Sequence, residues 1–502
     1  MEPRSLWNAS RARELPATPQ FPACLLPLLC LLALLVAFAC DAGAPPSPPS
    51  PPSPPNVVIL LADDLGWNDV GYHGSEIRTP HIDALAREGV RLERFYVSPI
   101  CSPTRAGLLT GRWPIRYGLM KAVIPPWSRY GLPVGEHTLA ELFEKAGYTR
   151  RALVGKWHLG HSRRAQHPLE RGFSEFYGHY NGAIGYFDHR RLDEVDWHRG
   201  WKTLHEEGYS TDLLADEAVR FLRDSQPGEP FFLYVAFNAP HKPLQAKPED
   251  LARYPQLRKP RKTYAAMVDS LDQAVGRILD TLDERGLAEE TFVLFLSDNG
   301  GEAGIADNSP LRGAKSSVHE GGIRVPAIVR WPRGGLAGAA DGVGGAEGVE
   351  ERSVEEPMGY IDVYPTLKRV AGAEFADPEP LDGHDVLDIM AGQDAAPDRR
   401  WYSFLAPLGP EEIAVQQGPW KLVVKGPSIL LQRPPRPWIF ELYRIDRDPG
   451  ETTNLADRHP ERVTELLDDL RAFRALQPGK GVAAYPVGQE GFVAPTDWQV
   501  GR

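Results

Sequence analysis

Residues 56–64 read NVVILLADD. After Asn56 the run is wholly apolar to Ala62, rich in valine and isoleucine, with no polar residue at alternate positions. Such a run predicts a strand buried on both faces, as in a parallel sheet covered by helices. It ends in two carboxylates, Asp63 and Asp64. The same form recurs along the chain. TRRALVG (149–155) runs into Lys156 and His158, PFFLYVAF (230–237) leads to His241, and TFVLFLS (291–297) runs into Asp298 and Asn299. Between these runs lie stretches with the apolar spacing of amphipathic helices: TPHIDALAREGV (79–90), TDLLADEAVRFLRD (211–224) and YAAMVDSLDQAVGRILDTLDERG (264–286). Strands alternating with helices of this length predict an α/β fold, a large mostly parallel central sheet flanked by helices.

Past residue 395 the pattern changes. GPWKLVVKG (418–426) and IFELYRI (439–445) read as hairpin strands, and PERVTELLDDLRAFRAL (460–476) as a closing helix. The expected division is a catalytic domain over 56–395 and a smaller C-terminal subdomain, antiparallel sheet plus helix, over 396–502. The Gly/Ala-rich, acidic stretch 333–357 reads as a mobile surface loop.

The chain has 502 residues and a formal net charge of −11. That charge argues against nucleic acid as a partner but leaves room for a basic pocket. Arg4, Arg11 and Arg13 precede an apolar run, CLLPLLCLLALLVAFAC (24–40), containing the A-x-A-like site Ala37-Phe38-Ala39. This predicts an export signal over 1–40, with a single membrane anchor as the other reading. Cys40 directly after the site offers a lipid anchor, as in a bacterial lipoprotein. The Pro/Ser run over 41–55 is a stiff spacer. The chain has four cysteines, Cys24, Cys30, Cys40 and Cys101, and the sequon Asn8-Ala9-Ser10 falls inside the predicted signal. A mature chain without a disulfide pair or sequon reads as an exported bacterial protein, periplasmic, membrane-anchored or secreted.

In open α/β sheets the ligand site lies beyond the carboxyl ends of the strands. Asp63-Asp64 alone reads better as a helix or turn cap. Joined by Asp298 and Asn299 at a matching strand end, the set offers oxygen ligands to a hard divalent ion, Ca²⁺ or Mg²⁺, rather than zinc. Lys156 and His158, two apart in an extended segment, project to one side. With Arg105, His241 and Lys315 they would surround an oxyanion and leave a histidine for proton transfer.

Cys101 lies in SPICSPTRAGLLTGR (98–112) and has no second thiol beyond position 40. Pro103 suits the first turn of a helix that ends near Gly111. Cys101 would then sit at the helix N-terminus, where a thiol becomes a thiolate nucleophile. A buried structural cysteine is the alternative.

The stretch CSPTRAGLLTGR resembles the sulfatase signature C-x-P-x-R followed by T-G. LLADDLGWNDVGYHG, VGKWHLG, APHKP, SDNGG, LRGAK, HEGGIRVP and LYRIDRDPGETTNLA resemble further segments of that family, in wording close to its arylsulfatase B-like, N-acetylgalactosamine-4-sulfatase-like members. The resemblance implies that a formylglycine-generating enzyme converts Cys101 to formylglycine, whose hydrate attacks the sulfur of a sulfated small molecule or carbohydrate. It implies Ca²⁺, with Mg²⁺ as alternative, held by Asp63, Asp64, Asp298, Asn299 and residue 101. Arg105 and His158 would hold the hydrate, with His158 taking its proton. Lys156 and Lys315 would bind sulfate oxygens, and His241 would protonate the leaving alcohol. Rivals are a phosphonate or phosphodiester hydrolase of the same superfold and an inactive glycan-binding lipoprotein. The segments 113–133 and 160–205 bring aromatic and basic side chains expected to shape a sugar pocket.

Overall fold

The computed structural model describes residues 54–338 and 352–500. The expectations for the export segment, Cys40 and nearly all of the Pro/Ser spacer lie outside these residues. β1 (Asn56–Ala62), β2 (Arg150–Lys156), β3 (Glu175–His179), β4 (Phe231–Ala236) and β5 (Thr291–Ser297) form a parallel core in the spatial order β5-β1-β4-β2-β3. Short strands extend it at both edges to a ten-stranded sheet, with Ala327–Arg330 antiparallel to β5.

The absence of alternation in β1 has a direct cause. Val57, Ile59 and Leu61 enter a core shared with Leu108, Leu422 and Leu470, while Val58, Leu60 and Ala62 enter another with Leu85, Leu214 and Leu271. α1 (Pro80–Glu88), α3 (Ser210–Asp224) and α4 (Arg261–Glu284) cover the second face, and α2 (Cys101–Thr110) packs into the first. Each residue of β1 is therefore out of water, which favours apolar side chains throughout.

Register sets the chemistry. Ala62 pairs with Ser297, Leu61 with Ala236, and Val235 with Val154. Strands aligned in this way end together, so Asp63, Asp298 and Lys156 emerge at one edge of the sheet.

The C-terminal part forms a four-stranded antiparallel sheet of β6 (Arg400–Leu405), β7 (Glu411–Gln417), β8 (Trp420–Gly426) and β9 (Ile439–Arg444), with α5 (Pro460–Arg474) against it. β7 escapes the sequence reading because EEIAVQQ carries more polar than apolar residues.

The expected loop at 333–357 needs correction at its ends. Arg352–Val354 is a strand that pairs in parallel with Val90–Leu92. The Arg352 guanidinium donates to the carbonyls of Ala337, at 2.7 Å, and Ala391, at 2.9 Å. A three-residue strand is too short to leave a period in an acidic, glycine-rich stretch. Residues 339–351 lie outside the described ones. Among the described residues no helix is long and apolar enough to cross a membrane.

Candidate active site

The strand ends bring the predicted polar residues together. Carboxylate oxygens of Asp63, Asp64 and Asp298 lie within 4.8 Å of one another, and those residues are buried. Asp64 sits at φ 69°, a left-handed conformation uncommon for a residue with a Cβ, and one that turns the chain sharply off the strand. The Asn299 amide donates to Asp64 Oδ1 at 2.8 Å, and the Asp64 backbone N–H to Asp298 Oδ1 at 3.3 Å.

Three cations answer the three carboxylates. Lys156 Nζ lies 2.6 Å from Asp63 Oδ2, and Lys315 Nζ 2.7 Å from Asp64 Oδ2. Arg105, with no exposed surface, places Nε at 3.0 Å and Nη2 at 2.7 Å from Asp298 Oδ2. Even so, Asp63 Oδ1 and Asn299 Oδ1 are buried without a hydrogen-bond partner, Arg105 Nη2 standing 3.8 Å from the former. Burial, with Asp298 beside it, pushes the Asp63 carboxyl up to about 8. Burial works the same way on Asp64, but the Lys315 ammonium, with a hydrogen bond from Asn299, outweighs it and holds that carboxyl well below its ordinary range. Unpartnered, oxygen-only donors around a strained carboxylate fit a hard divalent cation.

Cys101 is the first residue of α2, which Gly111 ends at φ 68°. Its sulfur lies within 4.8 Å of a carboxylate oxygen of Asp63 and a ring nitrogen of His241, and the residue is 3% exposed. The thiolate expectation is overturned. Burial pushes the thiol up, and Asp298 and Asp63 add to that, against Lys156 and Lys315. Burial thus works against ionisation of an unmodified Cys101.

The two histidines present opposite nitrogens. His158 Nε2 lies 3.0 Å from the Ile124 carbonyl, which can only accept, so Nε2 carries the hydrogen and Nδ1 is a free lone pair, buried without a partner. His241 Nδ1 donates to the Lys242 carbonyl, leaving Nε2 facing Asp64 at 3.7 Å. Burial, together with nearby lysines, holds both rings well below the ordinary histidine range, hence neutral. The extended geometry expected through His158 stops at Lys156, because His158 is left-handed at φ 53°. His158, Cys101, His241 and Lys315 line one cavity of about 710 Å³, while Lys156 lies beneath, fully buried.

Several supporting residues were not anticipated. Ser102 Oγ donates to the His158 carbonyl at 3.1 Å and accepts from the Ile124 N–H at 3.1 Å, tying α2 to the histidine segment. The buried Tyr186 hydroxyl reaches the carbonyls of Asn238 and His241, at 2.6 and 2.8 Å, and braces that loop. The Lys315 loop is gripped by the C-terminal sheet. Glu320 Oε1 meets Lys421 Nζ at 2.8 Å, and His319 Nε2 meets Glu441 Oε2 at 2.8 Å. No local pattern marks these contacts, since their partners lie far away in the chain.

The aromatic side chains expected to form a sugar pocket mostly pack elsewhere. Trp113 stands edge-on to Tyr360, Trp401 and Phe473, and Trp127 packs on Tyr485 and Phe492. Tyr485 is the aromatic residue, histidines aside, that lines the cavity among the described residues.

Comparison with known proteins agrees with this geometry. The Sulfatase family profile matches residues 55–373. The chain is 33% identical to arylsulfatase J of Mus musculus over 467 residues, covering 83% of this chain and 75% of that protein. It is 37% identical to N-acetylgalactosamine-6-sulfatase of Rattus norvegicus over 363 residues, 67% of this chain and 65% of that protein. The solved structure of Ps i-CgsB in complex with k-i-k-neocarrahexaose superposes with a TM-score of 0.75 at 31% identity, covering 84% of this chain and 93% of that one. These relatives carry the family rather than a subgroup within it, and none favours the phosphonate or inactive readings. With a profile match across most of its length and a site built from the family's residue types, the chain belongs to the sulfatase family, the hydrolases of sulfate esters.

Proposed function

We propose that the chain cleaves a sulfate ester at a formylglycine made from Cys101. The observation that carries this is the meeting of a buried cysteine, the one free thiol among the described residues, with three crowded, buried carboxylates and their cations beside one cavity. Burial works against a thiolate there, which supports its conversion by a formylglycine-generating enzyme. A hydrated aldehyde at 101 would supply the attacking hydroxyl, and Ca²⁺ or Mg²⁺ held by Asp63, Asp64, Asp298, Asn299 and residue 101 would supply positive charge.

The remaining work falls to the chain. His158 accepts a proton at Nδ1 from the hydroxyl of residue 101, its ring fixed by Ile124. Arg105 anchors Asp298 and, through Nη1, the Lys156 carbonyl at 3.2 Å, which holds the floor of the site still. Lys315 reaches sulfate oxygens from the cavity wall, and Lys156 adds its charge from below. His241 starts neutral. A bound sulfate offsets the two lysines, raises the ring's proton affinity and readies Nε2 to protonate the departing alcohol.

The substrate is a sulfated carbohydrate or small molecule. The relatives' names support the carbohydrate. Residues 56–395 are read as the catalytic domain and 396–502 as its subdomain. The chain is read as exported, with Cys40 a candidate lipid anchor. Peptide mass spectrometry across residue 101, paired with turnover of an aryl sulfate against an aryl phosphate, tests the proposal. Formylglycine and sulfate release are expected. An unmodified thiol in active protein, or faster phosphate release, overturns it.

A further inference from the structure

The cavity at the site is far larger than a sulfate group, at about 710 Å³. That is room for a one- or two-ring body. Its wall is apolar along Val123, Ile124, Ile184 and Leu405, and among the described residues no carboxylate lines it. Four cationic side chains do: Lys315, Lys242, Arg190 and Arg191.

Three of these have partners within the protein. Lys315 meets Asp64, and Lys242 Nζ lies 3.0 Å from Glu302 Oε1. Arg190 donates to the Asp193 carbonyl within its own turn. Arg191 differs. Among the described residues its side chain makes no ion pair, hydrogen bond or ring contact, and its Nε is buried without a partner. The residue is half-buried, and an Nε withdrawn from water and left unpaired costs free energy that an anion bound to the guanidinium would help recover.

The backbone that carries it is held on several sides. Arg190–Arg191 pairs with Glu194–Val195 in a tight hairpin, whose turn residues Leu192 and Asp193 are left-handed at φ 50° and 64°. The Gly185 N–H donates to the Arg190 carbonyl at 3.0 Å, and Trp498 Nε1 to the Arg191 carbonyl at 2.8 Å. Glu194 Oε2 accepts from the Asp497 N–H at 2.9 Å, which directs that acid toward the backbone. The backbone that carries the arginine is therefore set before any ligand arrives, which confines the ordering on binding to the side chain.

We propose that Arg191 forms a second anion subsite, so that the preferred substrate is a sulfate ester bearing another acidic group, a carboxylate or a second sulfate, elsewhere on its body. A guanidinium fork matches either group in a bidentate fashion. This rests on the sulfate-ester reading above and names the class of ester.

The test uses the full chain with residue 101 converted and four probes. These are a simple aryl sulfate, a monosulfated disaccharide of neutral sugars, the same disaccharide with one hexose replaced by a hexuronate, and its disulfated form. Wild type should prefer at least one acidic disaccharide over the neutral one by roughly tenfold or more in kcat/KM. Preference for the uronate or for the disulfate identifies the acid. Arg191→Met should collapse the ratio toward one, and Arg191→Lys, which keeps the charge but not the fork, should retain part of it. On wild type alone the preference should shrink as salt is added, which keeps the test open if a variant folds poorly. Failure to cleave the aryl sulfate would overturn the sulfate-ester reading itself. Cleavage of it with no preference among the disaccharides, or with a preference unchanged in Arg191→Met, would sink the subsite alone.

Discussion

Two clusters of charge are buried in this molecule, and their chemistry differs. At the strand ends, Asp63, Asp64 and Asp298 face Arg105, Lys156 and Lys315 beside an open cavity. Under the C-terminal sheet, Lys421 sits between Glu320 and Glu451 at 2.8 and 2.9 Å, with at most 1% of any of these side chains exposed. Tyr96 donates to Glu320 Oε2 at 3.0 Å, and Glu451 Oε2 accepts the Glu320 N–H at 2.7 Å. The closed cluster holds its cation within the chain and joins the Lys315 loop to β8. The open cluster leaves Asp63 Oδ1 and Asn299 Oδ1 without a hydrogen-bond partner, as Glu451 Oε1 is in the closed one, but it alone of the two reaches the large cavity, through Lys315. The difference teaches that burial of charge by itself does not mark a site. An unfilled donor set with access to ligand does, whereas a closed triad is read as a fastening.

The comparison predicts that variants of the open cluster lose turnover and variants of the closed one lose stability. The largest effect is expected for Cys101→Ala. Sulfate release should fall on the order of a thousandfold or more, because the group that reacts is gone. Thermal unfolding should stay near wild type, since one small side chain leaves the core. A large drop in Tm would make Cys101 a structural residue after all.

Lys421→Met should do the reverse. It leaves Glu320 and Glu451 buried without a cation, a loss of about 3–5 kcal/mol in denaturant unfolding. Unchanged stability would mean that the triad is not the fastening its geometry describes.

His241→Ala sharpens the open side. Loss of a general acid should cost roughly a hundredfold on a sugar sulfate, whose alkoxide leaves badly, and distinctly less on a nitrophenyl sulfate. His158→Ala, acting on the nucleophile, should depress both alike. Equal losses in the two substrates for His241→Ala would reduce it to a sulfate-binding residue.

The smallest effect is a pH slope. Burial, with Glu320 nearby, raises Glu451 from its ordinary 4.5 to about 7. A carboxyl raised on folding stabilises the fold when protonated, and this contribution is lost as pH climbs from the unfolded value through the folded one. Stability contributed by Glu451 should therefore decline between about pH 4.5 and 7, and Glu451→Gln should flatten that part of the curve. A slope unchanged by Glu451→Gln would assign the titration to another group.

Much was legible in the chain because it depends on neighbours in sequence. A strand buried on both faces must be apolar throughout, so NVVILLA and TFVLFLS announce a parallel sheet core, and their ends announce Asp63, Asp64, Asp298 and Asn299 as a group. The helix after Cys101 follows from Pro103 and Gly111, and the C-x-P-x-R pattern carries the family. Other features depend on which distant residues meet, and local preference carries no record of that. The left-handed turns at Asp64 and His158, the Ser102 and Tyr186 braces, and the grip of Lys421 on Glu320, 101 residues away, arise from packing. So does the rise of the Cys101 thiol, since desolvation by the surrounding core outweighs the helix N-terminus that the sequence alone would have credited. Trp113 and Trp127, in a segment that reads as shaping a sugar pocket, pack on other aromatic rings instead, because an aromatic residue lowers its free energy against any apolar surface that tertiary structure offers. Arg191 shows the same limit from the other side: a basic residue in a loop is ordinary, and only the assembled cavity leaves it without a partner.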